Sequence, residues 1–185
     1  DIIDKCNIHV SRINTYIIQW FELINIPSSK LISGNVNAKK LYIPRMGKCG
    51  HPYFSQIKWL QQIVHRHLTN DDKFQYIILI KRNKKRPLRN HIQLESLLNF
   101  FCKRFDLRLY IHDDNNLPSL KQQQQIFSRA KYVFAPHGAG GIHLVSMKEG
   151  SWFIEFLSGN PINKSSDMFN ICYSRLSYLC NINYK

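Results

Sequence analysis

KYVFAPHGAGG, residues 131–141, sets the reading of the chain. Lys131 to Ala135 is an apolar run of the kind that forms a buried strand, and Pro136 ends it. Gly138, Gly140 and Gly141 follow, where a backbone without β-carbons can approach a ligand closely. Ile142 to Lys148 then predicts a short helix whose first N–H groups and dipole favour an anion. His137 stands at the carboxyl end of the strand, where open α/β sheets bind their ligands. The spacing is neither G-x-G-x-x-G nor a loop ending in G-K-[ST], so the dinucleotide and nucleoside-triphosphate fingerprints do not apply. A tight turn that merely needs small residues, with His137 packed inside, is the plain alternative.

A second segment has the same layout. Phe74 to Ile80 (FQYIILI) is a continuous apolar run that delivers KRNKKRPLRN, residues 81–90, in which six of the nine residues from Lys81 to Arg89 are Lys or Arg. HIQLESLLNFFCKRF, residues 91–105, follows, with Leu94, Leu97, Leu98, Phe101 and Phe105 on one face at helical spacing. Arg82 and Arg86 are the favoured phosphate ligands, because a guanidinium grips two oxygens at once. The run has two rivals: a nuclear-localisation or nucleic-acid patch, and a solvated basic loop. Its confinement between a buried strand and an amphipathic helix argues against a free targeting signal and leaves a surface patch open.

The remaining pattern places these loops in a fold. Strands over 74–80, 107–111, 131–135 and 152–157 alternate with helices over 91–105, 119–130 and 141–148. Such alternation predicts an α/β domain with a parallel sheet and right-handed crossovers. A last helix is expected from Asp167 to Cys180. Before residue 70 the pattern is less regular, with helices near 13–23 and 53–67, a short strand at 41–43, and a loop with a candidate strand at 28–37.

The 185 residues suffice for one domain, or one lobe and part of another. A formal charge of +14 calls for an anionic partner: a nucleic acid, an acidic membrane or a sugar nucleotide. No zinc-finger, helix-turn-helix or RNP spacing accompanies it, which argues against nucleic acid. No apolar run is long enough to span a membrane. Asp1 opens the chain, so it reads as a fragment whose targeting segment lies elsewhere, and its compartment is left unassigned. The five cysteines, Cys6, Cys49, Cys102, Cys172 and Cys180, form no C-x-x-C pair and read mostly as core thiols, with one bridge involving Cys172 and Cys180 left open. No metal site is expected. His65 and His67 point apart on a helix, and Asp113-Asp114 reads as a solvated turn without D-x-D spacing.

Arg82, Arg86 and Asn90 after an apolar strand, QQQQIFSRA at 122–130, HGAG at 137–140 and WFIEFL at 152–157 with Glu155 together resemble glycosyltransferase family 61. LYIPR at 41–45, His143 three residues after HGAG, and the closing YLCNINYK resemble further family stretches. Gly141 stands where the family usually has Leu, which predicts looser packing, and His91 where an acidic residue often follows the Asn. The resemblance implies a Rossmann-like sheet with helices on both faces, the donor-binding lobe (71–185) of a two-lobed, GT-B-like enzyme, with residues 1–70 as part of the acceptor-side lobe and the connection. It implies inverting transfer from a UDP-sugar donor to a protein or glycan acceptor, with no cofactor and no metal. Arg82, Arg86, Asn90, His137, Gly138, Ala139, Gly140, His143 and Glu155 are the expected donor residues, Glu155 as an acceptor of ribose hydroxyls. The catalytic base is not assigned. A non-catalytic basic module binding nucleic acid or polyanionic glycan is the rival class.

Overall fold

A computed structural model describes residues 5–43, 52–68, 73–157 and 172–185. Pro44 and Arg45 of the LYIPR stretch, Cys49, and residues 167–171 of the expected last helix lie outside them. The chain divides into two units, Asp1–Met46 with Ser119–Lys121, and Gly47–Pro118 with Gln122–Lys185. The division falls at 46/47, ahead of the helix expected near 53–67, whereas the sequence reading set the boundary at 70/71.

In the first unit, strands β1 (Ile8–His9) and β2 (Leu31–Ile32) pair in parallel, with helix α1 (Thr15–Leu23) between them. Asn14 caps α1 by accepting the N–H of Ile17 at 2.9 Å. The strand expected at 41–43 is absent: Leu41, Tyr42 and Ile43 are exposed, and the candidate segment at 28–37 supplies the strand instead.

The second unit opens with helix α2 (Phe54–Arg66) and is built on five parallel strands: β3 (Tyr76–Lys81), β4 (Arg108–Asp113), β5 (Ala130–Pro136), β6 (Trp152–Phe156) and β7 (Asn183–Tyr184). Their order is β4-β3-β5-β6-β7. Helices α3 (His91–Phe105) and α4 (Leu120–Ser128) make the crossovers, and α5 (Cys172–Cys180) precedes β7. Ile77, Ile78, Leu79 and Ile80 are all buried, as a central strand covered on both faces requires. The chain runs from β3 to one neighbour, β4, then returns past it to the other, β5. That reversal makes the gap between the carboxyl ends of β3 and β5 a topological switch point, where doubly wound sheets bind ligands.

One face of the sheet, with Ile77 and Leu79, packs on Leu98 and Cys102 of α3, ringed by Leu94, Leu109, Ile111 and Phe134. The buried stripe of α3 is narrower than its sequence pattern suggests: Leu97, Phe101 and Phe105 are exposed. The row set against the sheet is the one spaced four apart, Leu94, Leu98 and Cys102. Helix α2 packs on the 139–146 segment and α5; it buries Ile57 and Val64, and the His65 ring donates to the Val145 carbonyl at 3.2 Å.

The helix expected at 141–148 is a 3₁₀ segment, Ala139–Ser146, with Gly141 and His143 to Ser146 buried. At eight residues it is longer than most 3₁₀ runs. Strand β7 has no counterpart in the sequence reading. Cys6, Cys102, Cys172 and Cys180 are thiols, none in a disulfide, and burial pushes the Cys180 thiol up to about 12.

Candidate functional site at the carboxyl ends of the strands

Lys81, Pro136 and Phe156 end β3, β5 and β6, and the loops that follow β3 and β5 meet at the switch point. Arg82, the first residue after β3, donates from Nη1 to the carbonyl of His137 at 2.8 Å. Its guanidinium lies across Gly138, where a Cβ would fall 1.8 Å from Nη1 and 2.7 Å from Cζ. Gly138 has φ 162°, extended backbone open to any residue, so glycine is needed here for space. At Gly140 a Cβ would fall 2.9 Å from Cδ1 of Ile80, so this part of the loop packs on the end of β3. The N–H of His137 is bonded to the Phe156 carbonyl at 3.1 Å and that of Gly141 to Gly138 at 3.0 Å. Ala139 and Gly140 lead the 3₁₀ segment, and the first two N–H groups of such a segment have no acceptor within it.

The basic loop is held from its far side. Lys81 pairs with Asp113 at 3.0 Å across the strands, and the Asn83 side chain donates to Asp113 and to Asp114, each at 2.6 Å. The Asn83 N–H reaches Asp114 at 3.0 Å. The N–H of Asn115 and the Lys81 ammonium hold the Asp113 carboxyl below its ordinary range. The acidic turn, read from sequence as solvated, is thus exposed in part and engaged with the basic loop, which it orients.

His137 is tied to β6 by its side chain as well. Its Nδ1 donates to Oε1 of Glu155 at 2.5 Å, and Tyr184 of β7 donates its hydroxyl to Oε2 at 2.7 Å. The Glu155 side chain is wholly buried. Both oxygens meet protein donors, and the carboxylate faces the His137 ring. Burial, then the bond to Glu155 and its charge, raise the Tyr184 hydroxyl well above its ordinary range.

The structure therefore brings Arg82, His137, Gly138 and Glu155 into one contact chain, with Ala139 and Gly140 alongside. Arg86 and Asn90 lie further along the basic loop and are exposed; Arg86 has left-handed backbone at φ 57°, and Asn90 precedes α3 without a side-chain capping bond. His143 turns inward. It is 2% exposed, stacked on Phe127 at 4.5 Å, with the His112 ring 5.5 Å away. Burial lowers His143 to about 3 and His112 to about 4, so both are neutral near pH 7. The looser packing expected at Gly141 is not found. A Cβ there would lie 2.4 Å from the Tyr173 ring, which fills the space from α5. Tyr173, Tyr184 and Asn83 are the residues that sequence reasoning missed; Tyr184 lies in the closing YLCNINYK, which the sequence offers only as a family-like stretch and not as a strand.

A family model described as Glycosyltransferase 61 matches residues 7–154. That range takes in Arg82, the 137–140 loop and His143 and stops one residue before Glu155. A search of curated proteins found no match.

Proposed function

The chain belongs to glycosyltransferase family 61, and from that premise we propose that it takes its sugar from a UDP-sugar whose diphosphate lies between Arg82 and the 137–140 loop. Membership carries glycosyl transfer as the activity. The observation that supports this placement of the donor is the Arg82 guanidinium laid over Gly138 at the switch point of the sheet. A cation fixed by its bond to the His137 carbonyl and two backbone N–H groups without an acceptor in their own segment support it, in the crevice where such sheets hold nucleotides.

In the proposed step an acceptor hydroxyl oxygen bonds to the anomeric carbon from the face opposite the nucleotide. The bond from that carbon to the β-phosphate oxygen breaks, and its electron pair leaves on UDP. The acceptor's proton passes to a base that remains unassigned. Arg82 and the N–H groups of Ala139 and Gly140 stabilise the charge that develops on the departing diphosphate, as preorganised dipoles do in a site closed to water. In this reading the Arg82 charge supplies the neutralisation that a divalent cation supplies in metal-dependent transferases. The paired acids Asp113 and Asp114 are engaged with Lys81 and Asn83, which supports transfer without a metal.

Glu155 then serves the donor through His137: with Nδ1–H committed to the carboxylate, Nε2 is the nitrogen left for a ligand. Arg86 and Asn90 are assigned to the outer rim of the donor site, and His143 to the packing beneath the loop. We assign residues 71–185 to the donor lobe of a GT-B-like enzyme and 1–70 to part of its acceptor-side lobe and the connection, with a protein or glycan as acceptor. Titration with UDP, AMP and uridine in the presence of a chelator tests the reading. UDP is expected to bind and stabilise the fold most, and a chain that binds no uridine nucleotide would overturn it.

A further inference from the structure

The site is completed by a segment outside the family match. From beyond residue 154, where the match ends, residues 172–185 bring Tyr173 against His137 and Tyr184 against Glu155. We propose that Tyr184 is a positioning residue for His137, acting through Glu155, with Tyr173 as the second wall of the imidazole's seat. The inference rests on the donor reading for its effect on UDP and on geometry alone for its effect on the ring.

Strand β7 does not need the Tyr184 hydroxyl to dock. Its backbone is already bonded on both sides of that residue: Asn183 N–H to Ser151 at 2.9 Å, Lys185 N–H to Phe153 at 3.0 Å, and Glu155 N–H to Lys185 at 2.8 Å. The register sets Tyr184 opposite Phe153, and the two rings stack 6.4 Å apart at 21°. A phenylalanine would satisfy every one of these contacts. What the hydroxyl adds is its 2.7 Å bond to Glu155, two residues further along the same face of β6.

Glu155 needs that bond. Its side chain has no exposed surface, and a buried carboxylate oxygen without a donor bears the full cost of its lost hydration. With Tyr184 on Oε2 the carboxylate is fixed in one rotation, so Oε1 meets His137 Nδ1 at a set point. A carboxylate behind an imidazole fixes both the tautomer and the direction of the other nitrogen. On the other side the Tyr173 ring stands 5.5 Å from that of His137, tilted by 55°, and occupies the space over Gly141. The ring is therefore set by Glu155 and Tyr173, both outside the glycine loop. The loop's own bonds, His137 N–H to Phe156 and Arg82 to the His137 carbonyl, hold only its backbone.

Tyr184→Phe in the 185-residue chain tests this. With histidine labelled in nitrogen-15 and His137 assigned by a His137→Gln spectrum, wild type is expected to show one ring state with the proton on Nδ1. Tyr184→Phe should shift or broaden those signals without ligand and weaken UDP about tenfold, roughly the contribution of one hydrogen bond, while uridine binds as before. Unchanged His137 signals in a folded Tyr184→Phe chain would overturn the proposal. If wild type binds no UDP, the donor reading fails by itself and the ligand-free spectra still decide the positioning role. If Tyr184→Phe does not fold, 3-fluorotyrosine at position 184 of the otherwise intact chain replaces it. His137→Gln must then move the fluorine signal, and a fluorine signal that stays put would overturn the coupling.

Discussion

Gly138→Ala isolates the contact on which the proposed donor site depends. Residue 138 has φ 162°, so alanine meets no backbone penalty there. Its Cβ would fall 1.8 Å from Nη1 and 2.7 Å from Cζ of Arg82, and one of them must move. The guanidinium is the far end of a flexible side chain, so it swings away and its bond to the His137 carbonyl is lost. The fold should lose about 1 kcal/mol or less, as for a substitution that opens no cavity. Diphosphate binding should lose much more, because a hydrogen bond to a charged group contributes about 1.5 to 3 kcal/mol, or roughly ten- to a hundredfold in Kd. Calorimetric titration with UDP and with uridine reads this directly, and uridine, without phosphate, should bind each variant alike. The decisive comparison is a double-mutant cycle. Once Arg82→Ala has removed the guanidinium, Gly138→Ala should cost nothing further. Wild-type UDP affinity in Gly138→Ala, or losses that simply add, would refute the reasoning.

Two further outcomes concern the interior. His112 and His143 are lowered to about 4 and about 3 from an ordinary 6.5. Between pH 6.5 and about 4 the unfolded chain thus binds protons that the folded chain refuses. The stability they lend is whole above that window and falls as pH falls through it; His143→Leu should flatten the fall in Tm between pH 7 and 4.5, and an equally steep fall would contradict the assignment. Gln124 is fully buried with neither side-chain atom hydrogen-bonded. Gln124→Met, close in shape, should therefore raise stability by about 1 kcal/mol, a gain of about 2 to 4 °C in Tm, and a lowered Tm would show that the amide has a use.

The sheet was legible because its strands are covered on both faces. Runs such as FQYIILI and KYVFAP have few other fates once helical segments separate them, and the glycine loop and Arg82 fall at strand ends that the same runs define. Strand β7 was not legible, since two residues carry no periodicity and its docking is decided by the free edge of β6. The seat of His137 was hidden for the same reason: Tyr173 and Tyr184 reach it only after the fold has brought α5 and β7 to the loop. His143 came to the site list through the family resemblance alone, and what the sequence did not disclose is that the 3₁₀ segment carries it against Phe127. The acidic turn looked solvated because its partner, Asn83, lies about thirty residues earlier and is aligned with it only by the pairing of β3 and β4.

The most direct test is a titration of the nitrogen-15-labelled chain with UDP in the presence of a chelator, read residue by residue. The account predicts saturable shifts largest at the Arg82 side chain and at the amides of Gly138, Ala139 and Gly140, with weaker effects at the exposed Lys84, Lys85 and Arg89. Shifts confined to those exposed cations, equal for UDP and AMP and abolished by salt, would mark a plain basic surface and contradict the donor site.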